Sequence, residues 1–514
     1  MDRHVNAVAR IAEMAARFYE ARKPFRIYHG STNSTRPHHF NPEEMIDTSM
    51  LNDILHIDTQ ALRVLVEPNV SMDKLVARTL QDGLLPPVVM EFPGITVGGG
   101  FSGTGGESSS FKYGLFEQTV ASVEIVVPTG EIITASPENN TRLFYGAASS
   151  FGTLGVITLL EIKLIRAKPY VELIYYPIFS AAEAAEKLKK EMANVANDYI
   201  DGILFAKDRG IVCAGRLTSS SEISEIHRFS RPRDPWFYLH AQDIIAMSRK
   251  TPTREIIPLV DYLFRYDRGG FWVGHFAFKY FLVPFNRFTR WFLDDFLHTR
   301  MMFHSLHQSG LHKQYFLQDV AIPFPAANQF LEYVDQSLGY YPLWLCPLQQ
   351  AAREHRSLFS PSISTSDLSG SETFLNVGIW AIGPTNTHKY VCANRELEMK
   401  VQELGGKKWL YAQTFYTPEQ FGGIYDHEEY DALRKEYSAT HLPSIYDKVN
   451  VDSKATIKRT RAARFWSLFW DIWPLRGWYG LFHAMFGWIS GSEDLISPNS
   501  WRSRISSKIK STVA

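Results

Sequence analysis

Eight glycines fall within the 21 residues from Gly94 to Gly114, interleaved with Ser102, Thr104, Ser108, Ser109 and Ser110, and no other stretch limits the fold so strongly. Glycine reaches positive φ without strain and lets a backbone come close to whatever lies against it. Gly98 to Gly103 matches the G-x-G-x-x-G spacing, which marks a dinucleotide fold when it ends a strand and opens a helix. The residues that follow, Thr104 to Tyr113, are too turn-prone for the long helix that such a fold needs. The expected geometry is instead a concave loop whose successive backbone N–H groups receive an anion without a helix dipole. Hydroxyl groups would add neutral hydrogen bonds.

Two further segments share this texture, residues 30–36 (Gly30-Ser31-Thr32-Asn33-Ser34-Thr35-Arg36) and residues 149–157 (Ser149 to Ile157). Three such loops in one strand-rich region point to a large phosphate-bearing cofactor. Around them the patterns predict an amphipathic first helix carrying Val5, Val8, Ile11, Ala15 and Phe18, and a strand over 24–29. Paired strands follow over 54–66, then a helix from Ser71 through Gln81, a hairpin over 120–133, a helix over 137–145 and a strand ending near Ile165. After Lys168-Pro169 longer helical stretches such as 181–196 alternate with aromatic strands, so a domain boundary is expected near residue 168.

The 514 residues carry 54 Lys+Arg against 54 Asp+Glu, which gives no long-range field for collecting a polyanion and disfavours nucleic-acid binding. Cys213, Cys346 and Cys392 are far apart and form no ligand cluster, so neither a disulfide framework nor a structural metal is expected. Acidic residues in the first 23 positions do not suit a signal peptide, and no stretch of about 20 uncharged apolar residues predicts a transmembrane helix.

Three motifs together resemble the vanillyl-alcohol oxidase type of flavoprotein, with its p-cresol methylhydroxylase-type FAD-binding domain. They are Arg26 to Asn33, Thr96 through Ser108 to Gly114, and Ser150-Phe151-Gly152-Thr153-Leu154-Gly155-Val156-Ile157-Thr158. Within that superfamily Thr104-Gly105-Gly106-Glu107-Ser108-Ser109-Ser110-Phe111-Lys112-Tyr113-Gly114 is similar to the loop of the Δ24-sterol reductases (the diminuto/seladin group). Tyr315 to Val320, Tyr341 to Pro347, Leu433 to Lys435 and Leu442 to Val449 resemble the same group.

The resemblance implies an α+β fold with a two-subdomain FAD-binding domain over 1–168 and an α+β substrate domain over 169–453, and the residues beyond them, 454–514, read as a basic and aromatic tail. It implies non-covalent FAD, NADPH as reductant, and reduction of a sterol side-chain double bond, at the cytoplasmic side of the endoplasmic reticulum membrane or in the cytoplasm. Ser31, Thr32, Asn33 and Ser34 would form the first phosphate loop. Thr96, Val97, Gly98, Gly99, Gly100, Gly103, Thr104, Gly105, Gly106, Glu107 and Ser108, with Tyr113, would hold the pyrophosphate and ribityl region. Gly152, Thr153, Gly155, Val156 and Ile157 would line the adenine or ribityl side. His29 precedes the first loop and is expected to position or pack, not to bond the flavin.

Alkene reduction needs a proton donor beside the hydride source. The candidates are Tyr411, Tyr416, Tyr446 and Asp447. Glu107 would repel a diphosphate as a bare carboxylate, so its side chain is expected to turn to a backbone N–H or a ribose hydroxyl. The segment Phe271 to Trp291 is aromatic and weakly charged, which suits a lipid better than a sugar acid. That favours the reductase over an oxidase or dehydrogenase of a small hydroxylated substrate, and the intact glycines argue against a third reading, a membrane-surface scaffold with a decayed flavin site. Lys454, Lys458, Arg459, Arg461 and Arg464 precede Trp466, Trp470, Trp473, Trp478 and Trp488, a composition that suits an element lying in a bilayer interface.

Overall fold

The computed structural model describes residues 2–30, 40–219, 225–349, 356–360, 373–451 and 473–489, with the exception of 249–250. The chain is α+β and is built on two sheets. The first has five antiparallel strands in the order Ile54–Asp58, Arg63–Val66, Val156–Lys163, Val120–Val126, Ile132–Ala135. Its hairpins match the predicted pairs, with Pro128-Thr129-Gly130 turning between Val126 and Ile132. The amphipathic first helix, Asp2–Glu20, buries Ala7, Val8, Ile11 and Ala15 against this unit.

The second sheet begins at Tyr170 and has eight strands, all paired antiparallel. Its order is Thr253–Pro258, Tyr170–Ile178, Arg209–Thr218, Tyr199–Ala206, Leu343–Gln349, Thr373–Ile382, Tyr315–Pro323, Lys407–Lys408. Nearly continuous burial along these strands shows that both faces are covered.

Several predicted helices are shorter than their patterns. Ser71 precedes Met72–Thr79, and the last turn before Gly83 is a 3₁₀ helix, Leu80–Asp82. The helix expected over 137–145 runs from Thr141 to Ala147, because Ser136 accepts hydrogen bonds from Glu138 and Asn139 and makes 136–139 a turn. Ala181–Met192 stops four residues short of its predicted end.

Residues 409–451 follow the second sheet but return to the first unit. Leu410, Tyr416, Phe421, Tyr425, Tyr430 and Leu433 share a core with Val126, Leu154 and Val156. The Tyr430 hydroxyl donates to Thr153 Oγ1 at 2.7 Å, and Lys448 Nζ donates to Phe151 O at 2.7 Å.

Candidate active site

Residues Val97–Gly103 form a helix, which departs from the loop expected of them. Thr96 caps it, its Oγ1 accepting the Gly99 N–H at 3.1 Å, and the chain leaves it through Thr104 at φ 64°. Two of the glycines are required by packing: a Cβ on Gly98 would lie 2.7 Å from the Pro68 Cβ, and one on Gly100 would lie 2.4 Å from the Met90 Cε. Gly103 differs, since a Cβ there would meet nothing closer than Phe151 Cε1 at 3.8 Å and its side chain would stand in open space.

That space is a cavity of about 480 Å³. One wall is the run Thr96 to Glu107, with Gly152, Gly155 and Ile157 beside it. Another part of the lining is aromatic: Phe271, Trp344 and Trp380, with Trp409 and Tyr411 directly after the last strand of the second sheet. Phe271 holds a left-handed backbone at φ 60° and stacks on Tyr266 with ring centroids 3.9 Å apart. Strain of this kind persists where the surroundings over-determine it. Its ring lies 4.1 Å from that of Trp380.

Helix Thr299–Ser309 closes one flank through Met302, Phe303, Leu306 and Ser309. Its start is fixed by Asp267, which accepts the Thr299 N–H at 3.0 Å and faces His298 Nδ1 at 2.5 Å. Burial alone would depress the His298 imidazole, but the Asp267 charge wins and lifts it to about 10. Arg300 Nη2 reaches Asp73 at 2.8 Å and so ties this wall to the first unit.

Helix Leu475–Ile489 lies across Thr299–Ser309 and adds Gly477 and Leu481 to the lining. Gly480 sits so close that a Cβ would come within 2.4 Å of Ser305 O. The other face of this helix exposes Trp478, Tyr479, Phe482 and Phe486, the last 74% exposed. Among the described residues no helix is long and apolar enough to cross a membrane.

Two acidic centres open onto the cavity. Glu91 and Glu107 face one another, both buried, and each leaves one oxygen with no hydrogen-bond partner. A neighbouring carboxylate disfavours ionisation of either one. Burial first, and the Glu91 charge second, hold Glu107 well above the ordinary carboxylate range. That direction favours the protonated form of Glu107, which lessens the repulsion expected of it, and the Glu91 backbone N–H also faces its side chain, one of the two contacts read from the sequence. The second centre is Asp319. Burial raises it to about 7, against donors from Tyr411 Oη at 2.5 Å, Asn376 Nδ2 at 3.1 Å and Trp380 Nε1 at 3.0 Å.

Of the residues singled out in the sequence, Thr96, Gly98, Gly99, Gly100, Gly103, Thr104, Gly105, Gly106, Glu107, Gly152, Gly155, Ile157 and Tyr411 line the cavity. Val97, Thr153 and Val156 are buried in the core behind it, the Ser108 carbonyl accepts the Ile200 N–H, and Tyr113 is half-buried outside the lining. Ser31, Thr32, Asn33 and Ser34 lie outside the described residues, as does the basic run from Lys454 to Arg464. His29 is in the wall, and burial holds its imidazole below the usual value.

Tyr416, Tyr446 and Asp447 do not reach the cavity. Tyr416 is core, the Tyr446 hydroxyl donates to the Tyr416 carbonyl at 3.0 Å, and Asp447 completes a capping box with Ser444. Glu91 and Asp319 escaped the sequence reading as site residues. Asp319 had a signal, since it stands in the resembling segment Tyr315 to Val320; Glu91 had none.

The walls suit FAD. The glycine wall offers backbone where side chains would otherwise fill the space, the acid within it is held well above the ordinary carboxylate range by burial, and the adjoining chamber is aromatic, as a flavin ring and an apolar substrate require. The family model described as FAD binding domain matches residues 3–136. The chain is 31% identical over 404 residues to the Delta(24)-sterol reductase of Mus musculus, covering 78% of this chain and 76% of that protein. It is 28% identical over 477 residues to the Delta(24)-sterol reductase of Pisum sativum, covering 86% and 82%. It is also 35% identical over 137 residues to cytokinin dehydrogenase 9 of Oryza sativa subsp. japonica, a match to 26% of each chain.

Proposed function

The chain belongs to the Delta(24)-sterol reductase family and carries an FAD binding domain, and on that premise we propose that it reduces the Δ24 side-chain bond of a sterol with NADPH as electron donor. The observation that carries this reading is the single cavity in which a glycine-lined wall adjoins an apolar aromatic chamber containing Tyr411 and Asp319. An oxidase of small hydroxylated substrates would need more polar groups aimed into that chamber.

Bound FAD would supply the hydride, drawn from NADPH. The chain's own tasks are to hold the sterol side chain, exclude water and deliver a proton to the second alkene carbon. Phe271, Trp344 and Trp380 provide an aromatic, apolar surface for the side chain. Tyr411 is the proton donor and Asp319 its supply. Below about pH 7 Asp319 carries a proton, which it can pass to the Tyr411 oxygen as the phenol O–H is given to carbon. The phenol itself resists ionisation, held well above its ordinary value by burial and by the Asp319 charge. The negative charge left behind thus rests on Asp319, where Asn376 and Trp380 already donate to it.

On the same reading, the outer face of helix Leu475–Ile489 rests on a lipid surface. Its exposed Trp and Phe side chains suit the headgroup level, and the cations from Lys454 to Arg464 in the sequence would add attraction to anionic lipid. Gly477 and Leu481 of this helix line the cavity, so a sterol leaving the bilayer has a short route inward.

Anaerobic mixing of the FAD-loaded protein with NADPH and then desmosterol tests the reading. The flavin absorbance should bleach with the first and return with the second. Bleaching by a hydroxy acid but not by NADPH would reject it.

A further inference from the structure

At the edge strand of the second sheet, three side chains from separate elements converge. They are His227 from the loop after residue 225, His240 from helix Phe237–Ser248, and Glu255 from the edge strand Thr253–Pro258. None of them lines the flavin cavity. One nitrogen of each imidazole and one Glu255 oxygen all lie within 4.8 Å of one another, the one such group of His, Cys, Asp or Glu among the described residues. His240 Nε2 is 2.9 Å from both Glu255 oxygens, and His227 Nε2 is 3.6 Å from Glu255 Oε1. The loop is held to the strand by backbone, with the His227 N–H donating to Ile256 O at 2.9 Å.

Glu255 is buried, and its ion-pair partners among the described residues are these two histidines. A proton on His240 Nε2 would satisfy one contact and leave His227 Nε2 beyond hydrogen-bond range of the carboxylate. A divalent cation at the common focus would satisfy all three groups together. Zn²⁺ takes imidazole nitrogen and carboxylate oxygen at about 2.0–2.2 Å, which puts tetrahedral ligand atoms roughly 3.3 Å apart. The observed 2.9 and 3.6 Å fall on either side of that spacing. Two imidazoles favour a transition metal over Ca²⁺ or Mg²⁺, which prefer oxygen.

The geometry points to a transition-metal site of the Zn²⁺ class formed by His227, His240 and Glu255, which clips the loop and helix onto the edge strand of the sheet. Glu225, 80% exposed with Oε2 3.9 Å from His227 Nε2, or water can supply the fourth ligand.

The test uses untagged, FAD-loaded protein stripped with chelator and titrated with Zn²⁺ against a chromophoric competitor. One equivalent should bind. Replacing Zn²⁺ by Co²⁺ should give tetrahedral ligand-field bands at wavelengths beyond flavin absorption. His227→Ala, at a partly exposed loop position, should bind Zn²⁺ more weakly by over ~100-fold, past the range that loss of an outer-shell partner costs. His240→Ala should do the same, with retained flavin absorbance reporting an intact fold. Wild-type protein that takes up no more Zn²⁺ than His227→Ala, or shows no Co²⁺ bands, would overturn the assignment.

Discussion

The phenol oxygen of Tyr411 lies 2.5 Å from Asp319 Oδ2, joining two residues 92 positions apart in the chain at the edge of the same cavity. If this pair delivers the proton, Tyr411→Phe and Asp319→Asn should each slow the alkene-dependent return of flavin absorbance by about 10²- to 10⁴-fold, the usual worth of a general acid. Bleaching by NADPH should keep its rate. Single-turnover stopped-flow spectroscopy separates the two phases.

The pH profile of that second phase follows from the raised Asp319 acidity. Asp319 is protonated below about pH 7, so the wild-type rate should be highest on the acid side and fall as pH rises through 7. In Asp319→Asn this descent should vanish. A profile flat in both proteins would remove Asp319 from the proton path.

Gly100 and Gly103 separate close packing from cofactor contact within a single helix. A Cβ on Gly100 would meet Met90 at 2.4 Å and Phe116 at 2.9 Å, so Gly100→Ala should cost about 1–3 kcal/mol in thermal or denaturant unfolding. Gly103→Ala has room and should leave apoprotein stability nearly unchanged while weakening FAD affinity. Flavin titration of the two apoproteins checks the contrast.

Glu117 gives a stability prediction with a definite sign. It is buried, accepts from Ser360 Oγ at 2.6 Å and Ser357 Oγ at 3.4 Å, and burial raises it to about 7 from an ordinary value of 4.5. The folded state therefore holds this proton more tightly than the unfolded chain does. Its contribution is complete below about pH 4.5 and is lost as pH climbs through 7, on the order of 3 kcal/mol. Glu117→Gln should flatten that part of the stability curve, measured by urea unfolding between pH 5 and 8.

The exposed face of Leu475–Ile489 is tested by Trp478→Ser, Phe482→Ser and Phe486→Ser together. All three are at least 49% exposed, so the fold should tolerate them while flotation with anionic liposomes falls several-fold. Turnover of a sterol dispersed in detergent should persist. Equal flotation of variant and wild type would remove this face from the membrane reading.

Much of the scaffold was legible because it is local. The hairpin 120–133 and the first helix follow from periodicity, and Phe271, Val273, Ala277, Tyr280 and Phe281 do line the cavity, as the aromatic, weakly charged texture of their segment suggested. The glycine run misled in one respect. The turn-prone residues after it argued for a loop, but the Thr96 cap and close packing on Pro68 and Met90 wind Val97–Gly103 into helix. What stayed hidden depends on distant partners. Glu91 and Glu107 alter one another only because the fold sets them face to face, and Arg265 and Asp201, 64 residues apart, pair at 2.7 Å in the interior. His227, His240 and Glu255 have no motif spacing because three different elements supply them.

The return of residues 409–451 bears on how this enzyme can be divided. Tyr430 hydrogen-bonds Thr153, Lys448 reaches Phe151, and Arg142 bridges Glu429 and Glu436 at 2.8 and 2.5 Å. A cut near residue 168, natural as it looks along the chain, would strip residues 149–157 of the partners that cover them. A working chimera must import the late segment with the early one, so the flavin half is a module in space that inheritance by contiguous fragments cannot transmit.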